Sequence, residues 1–161
     1  MNMLLHVALV GLGATVLMDL WLWGLKRLGV PTLNFALVGR WVGHLARGQW
    51  AHIAIAKAPP VRHEAALGWL VHYGVGLAFA AVLVAWCGIG WLQQPSVSAA
   101  LAFGVGTAVV PLFVMQPAMG AGIASRKTPA PLKNCLKSLA THTVFGVGLY
   151  LSAVVIERSF P

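Results

Sequence analysis

Four stretches of the chain stay apolar over more than twenty positions, broken only by isolated polar residues: Leu4 to Leu25, Leu67 to Gly90, Val97 to Gly120 and Leu136 to Ile156. Crossing a bilayer core takes about 20 such residues, because lipid gives the backbone no hydrogen-bond partner and a helix satisfies its own groups. The pattern predicts an all-α membrane protein, a bundle of four transmembrane helices in one membrane domain spanning residues 1–161. The first run lacks a basic leading segment and a small-residue cleavage site and is longer than a signal core, so it is expected to stay in the mature chain.

A fifth element has a different pattern. In "NFALVGRWVGHLARGQ", residues 34–49, a 100° step puts Phe35, Val38, Trp41, Val42 and Leu45 on one face and Arg40, His44 and Arg47 on the opposite one. This predicts an amphipathic interfacial helix on the cytoplasmic leaflet, with Trp41 buried and Arg40, His44 and Arg47 turned toward anionic headgroups. His44 is read here as a solvated or headgroup-facing side chain. The prolines of "KAPPVRHE" then end this helix, and Glu64 sits where a carboxylate in the first turn of the next complements the helix dipole.

Composition agrees with a membrane class. Hydrophobic residues make up 59% and charged residues only 9%, against roughly a quarter charged in soluble domains. Eleven Lys and Arg face three acids. In a soluble chain that excess would suggest nucleic acid, but no basic stripe interleaved with aromatics occurs, and nucleic acid is excluded as a partner. The basic residues fall instead in two loops: Lys26, Arg27, Arg40, Arg47, Lys57 and Arg62 in the first, and Arg126, Lys127, Lys133 and Lys137 in the third. The second loop, "WLQQPSVS", has none. The positive-inside rule then places loops one and three in the cytoplasm and both termini on the periplasmic side of an inner membrane. Cys87 and Cys135 fall near opposite ends of their spans, too far apart for a disulfide.

Each span carries one conspicuous polar side chain: Asp19, His72, Gln116 and His142. Asp19 lies about seven residues, roughly 10 Å, from the basic end of its span, and the other three fall at comparable depth in the cytoplasmic half. Thr15 and Ser138 lie one turn from Asp19 and His142, while Met115 and Met119 share a stripe of the third span. Pro111 and Pro117 remove backbone hydrogen bonds and are expected to kink that span, leaving the carbonyls of Thr107 and Phe113 available.

Three functions compete for this layer. Asp19, His72 and His142, with Gln116 or Met115, bind an ion, proton or metal in transport of an ion or small solute. Alternatively, His72 and His142 are the axial ligands of a b-type haem in an electron-transfer protein. As a third reading, the polar residues only pack helices in a scaffold or accessory protein. Enzymatic turnover is not expected. No zinc-type cluster, Walker loop or G-x-S-x-G is present, and the Gly-x-Gly pairs lie inside spans rather than at a strand-to-helix turn. Four spans are few for a transport path, so a homo-oligomer or a membrane partner is expected.

The combination of "GATVLMDLW", "VGRWVGH", "GWLVHYGVG", "MQPAMGAG" and "LATHTVFGVGLYL" resembles a domain-of-unknown-function family of small bacterial four-span membrane proteins. The resemblance covers nearly the whole chain. It implies a bacterial inner-membrane location and no particular activity. It also implies that Asp19, Arg40, Trp41, His44, His72, Tyr73, Gln116, Pro117 and His142 belong to a recurring pattern, which adds Tyr73 to the site as a supporting residue.

Overall fold

Helices account for the regular structure of residues 2–159, the part of the chain that the computed structural model describes. They are α1 (Met3–Arg27), α2 (Phe35–Leu45), α3 (Glu64–Cys87), α4 (Gly90–Gln93), α5 (Val97–Thr107), α6 (Gln116–Ala118) and α7 (Pro131–Ser159). Short 3₁₀ turns occupy Ile55–Lys57 and Ile123–Ser125, and a π-helical turn runs over Val110–Met115. Four helices are long and apolar enough to cross a membrane: Met3–Arg27, Glu64–Cys87, Val97–Ala118 and Pro131–Ser159. Their length and apolar composition are those of a multi-pass membrane protein, and positions 1, 160 and 161 of the expected domain lie outside the described residues.

The helix ends follow local chemistry. Asn2 and Asn34 cap α1 and α2, their side chains accepting the amides of Leu4 and Ala36 at 3.0 Å each. Lys26 and Arg27 close α1, where cations complement the dipole, and the Arg27 guanidinium lies 4.7 Å from the Trp23 ring centroid. The second span ends at Cys87, ahead of the expected Gly90, because Gly88 takes a left-handed φ of 84° that helical geometry excludes. The fourth begins at Pro131, ahead of Leu136, since a proline at the first helical position gives up no hydrogen bond. In the third span Pro111 is absorbed by the π-helical turn, whose wider winding tolerates a missing amide donor.

The chain divides into two compact units. The first comprises Met1–Thr32, Tyr73–Thr107 and Ala140–Pro161. Its core gathers Val10, Ala14, Leu83, Ala100, Phe145 and Leu149, each almost fully buried. Leu20, Val82, Val105 and Leu151 are exposed on the same helices, an apolar exterior that suits acyl chains. The second unit comprises Leu33–His72 and Ala108–Leu139. There α2 packs on the start of α3 through Gly39 and Gly68. A Cβ on Gly39 would collide with the Glu64 carbonyl, and one on Gly68 with the Phe35 carbonyl, so only glycine permits this approach. Eight of the eleven Lys and Arg belong to this unit, including Arg126, Lys127 and Lys133 of the third loop.

Candidate functional site

In the first unit, small residues let four helical segments approach closely, and polar side chains meet one or two turns from each contact. Gly11 of α1 faces Leu77 and Ala80 of α3, and Thr15 lies over Gly76. Continuing along both helices, the Tyr73 hydroxyl donates to Asp19 Oδ2 at 2.8 Å. Thr15 itself is fully buried and donates to the Gly11 carbonyl of its own helix at 2.8 Å, so it belongs to the packing of this contact.

The other crossings repeat this logic. Gly148 of α7 lies against Ala14 of α1, where a Cβ would come within 2.7 Å of the Ala14 Cα. Two turns further on along α1, Trp21 Nε1 donates to Thr141 Oγ1 of α7 at 3.2 Å. Gly104 of α5 and Gly146 of α7 meet backbone to backbone. One turn away, Thr107 Oγ1 and His142 Nδ1 lie 2.8 Å apart. Three side-chain hydrogen bonds thus link α3 to α1, α1 to α7 and α7 to α5. These three separate pairs place two ionisable groups, a phenol, an indole and two buried hydroxyls within the first unit as its polar set.

Trp21, Thr107 and Thr141 complete this set, and the sequence pattern assigned none of them to the site. Asp19 and Trp21 are two residues apart, so they point about 200° away from each other and serve different neighbours. A search at one-turn spacing from Asp19 passes over Trp21. Thr107 is expected from the sequence only to offer its carbonyl beside Pro111, and for Thr141 the available signal is that it immediately precedes His142.

The second unit holds the remaining candidates. His72 lies in an aromatic group, its ring centroid 4.4 Å from Phe35 and 5.7 Å from Trp69. Gln116 Oε1 accepts from the buried Ser125 hydroxyl at 2.8 Å. Ala124 and Ser125 both take left-handed backbone conformations, with φ of 50° and 59°, so this turn carries local strain held in place by its neighbours. The Met119 carbonyl accepts the Ile55 amide at 3.0 Å, and Met115 is half-buried beside Gln116. Ser138 is half-buried as well. Among the described residues, no three His, Cys, Asp or Glu side chains form a group able to hold a metal ion.

The polar face of α2 requires a correction. His44 is not solvated: it is 5% exposed, with Nδ1 2.6 Å from Gln49 Oε1 and Nε2 2.9 Å from the Pro59 carbonyl. Arg40, one turn earlier, also bonds within the unit. Its Nε and one terminal nitrogen donate to Glu64 at 2.8 and 2.7 Å, and its other terminal nitrogen donates to the carbonyls of Ala56 and Ala58. The bidentate bond to the Glu64 carboxylate raises the Arg40 pKa above its ordinary value. The physical reason is supply. The following segment offers a carboxylate and three carbonyls that need donors, and Arg40 and His44 reach them. Glu64 keeps its expected place in the first turn of α3, where it also accepts the Val61 amide at 3.0 Å.

Trp41 is half-buried and donates from Nε1 to the Trp50 carbonyl at 3.0 Å, while Arg47 remains exposed. His52, which no sequence signal singled out, packs edge-on to His44 with centroids 5.0 Å apart, and both of its ring nitrogens are buried without a hydrogen-bond partner.

The family model described as "Protein of unknown function (DUF2938)" matches residues 8–156. No curated protein and no solved structure matches the chain.

Proposed function

The chain belongs to the DUF2938 family, of unknown function, and from the site itself we propose that it is an inner-membrane protein that moves an ion or small solute, with Asp19 as its protonatable group. The observation that carries this reading is the 2.8 Å hydrogen bond from Tyr73 to Asp19, between two helices long and apolar enough to cross a membrane. Helix packing alone does not call for an acid. The pairs Trp21–Thr141 and Thr107–His142 join helices through groups that need carry no charge, whereas a carboxylate at this depth costs from about 2.5 kcal/mol upward when ionised. A group that costs this much and is held by a phenol donor suits a site that gains and loses a proton. His142, in the same unit, is the second ionisable group of this reading. Metal binding and a bis-histidine haem remain secondary, since His72 is held among aromatic rings.

A hydrophobic carbodiimide tests the reading, because it modifies protonated carboxyl groups in apolar surroundings. In purified protein, mass spectrometry is expected to find Asp19 labelled increasingly as pH falls, with no label there in Asp19→Asn. Proteoliposomes carrying a trapped pH dye and a potassium diffusion potential are expected to show proton flux that falls about a hundredfold or more in Asp19→Asn, a loss of the order one positioned group supplies in proton transfer. Absence of label over the whole range, together with flux equal to that of empty vesicles, sinks the proposal. A Soret band lost in both His72→Ala and His142→Ala would replace it with haem.

Orientation follows from the basic loops. We place both termini in the periplasm, the basic loops in the cytoplasm against anionic headgroups, and more than one copy in the assembly. Alkaline phosphatase fused to the C-terminus is expected to be active, and an inactive fusion there reverses the topology.

A further inference from the structure

Thr107 carries one hydroxyl proton. The Gly104 carbonyl, 2.6 Å from its Oγ1, can only accept that proton. His142 Nδ1 lies 2.8 Å from the same oxygen, and with the hydroxyl proton committed to Gly104, the ring nitrogen has to be the donor. We infer that Thr107 is a positioning residue that fixes the neutral His142 ring as its Nδ1–H tautomer, so that the lone pair sits at Nε2 and Nε2 is the proton-accepting atom of the site.

The packing of α5 on α7 makes this arrangement durable. Gly104 and Gly146 bring the two backbones together, so closely that a Cβ on Gly104 would come 2.5 Å from the Gly146 Cα and one on Gly146 2.7 Å from the Ala100 carbonyl oxygen. Thr107 is 6% exposed, so water is a poor competitor for its oxygen. Any group that meets Nε2 of the neutral ring must donate a hydrogen bond or a proton to it. When a proton moves from such a donor to Nε2, the donor keeps the bonding electrons and the ring becomes an imidazolium. Nδ1–H continues to donate to Thr107 throughout, so the ring takes up the proton without turning. A histidine held by its other nitrogen in this way is pre-organised for proton transfer.

The tautomer stands on α5 and α7 alone, while its use in transport rests on the reading proposed above. The two are separable by experiment. In protein labelled with ¹⁵N-histidine, the His142 signals are identified by their loss in His142→Gln. At a pH where the ring is neutral, Nδ1 is expected to be protonated and Nε2 bare. Thr107→Val removes the acceptor and is expected to shift the ring toward the Nε2–H form that predominates in water, whereas Thr107→Ser is expected to retain Nδ1–H. An Nε2–H ring in the wild-type protein overturns the inference, and so does a Thr107→Val spectrum identical to wild type. Should Thr107→Val fail to fold, the wild-type and Thr107→Ser spectra still decide. Neither spectrum depends on carbodiimide labelling of Asp19.

Discussion

Gly104→Ala, the addition of one methyl group, is expected to destabilise the protein by about 1–3 kcal/mol, in the range of overpacked cores. A Cβ at this position would come 2.5 Å from the Cα of Gly146, 2.7 Å from its nitrogen and 2.8 Å from the His142 carbonyl. All three are backbone atoms, so no rotamer change relieves the clash and α5 and α7 must separate. Alanine also favours a helix over glycine by about 1 kcal/mol, which offsets part of the loss. Gly106→Ala is the matched control. It has the same propensity gain and no atom within 4 Å of its Cβ, so it is expected to be neutral or slightly stabilising. Unfolding in detergent micelles, followed by tryptophan fluorescence, measures both. Equal stability of the two variants would show that the crossing yields. Because the crossing also sets Thr107 against His142, Gly104→Ala is expected to weaken the Nδ1–H preference of the ring as well.

The contrast between these two glycines shows what the sequence pattern could and could not settle. Hydropathy located the four spans closely, because lipid imposes one requirement on every residue of a span, and that requirement accumulates over twenty positions. Helix rise and the basic loop ends led in the same way to the expectation of a shared depth for Asp19 and His142. Which helix each of them meets was not. Gly104 and Gly106 are two residues apart and identical in composition, yet one closes a crossing and the other faces open space. Trp21 bonds Thr141, seven residues from the glycine that brings the helices together. Such partners depend on how the helices are rotated against one another, and periodicity within a single helix says nothing of that. Arg40 and His44 failed for a related reason. Amphipathicity divides α2 into two faces, but it cannot say whether the polar face meets headgroups or a neighbouring segment whose carbonyls take up its donors.

Glu64→Gln is expected to loosen the segment between α2 and α3 and to raise tryptic cleavage after Arg47, Lys57 or Arg62 by about tenfold or more, since local opening exposes these exposed basic residues in a flexible chain. The wild-type carboxylate accepts two bonds from Arg40 and one from the Val61 amide. A glutamine offers one carbonyl oxygen and turns an NH₂ group toward a guanidinium, so at least one of these donors loses its acceptor. Arg40 in turn anchors the Ala56 and Ala58 carbonyls, and His44 reaches the Pro59 carbonyl from the same helical face. Release of Arg40 therefore frees the segment along its length. Cleavage after Lys26 or Arg27, at the end of α1 in the first unit, serves as the internal reference and is expected to stay unchanged. Exchanging the charges, Arg40→Glu with Glu64→Arg, is expected not to restore protection. A carboxylate at position 40 would face the carbonyls of Ala56 and Ala58, acceptors against an acceptor, and restored protection in that double variant would mean that the ion pair alone holds the segment.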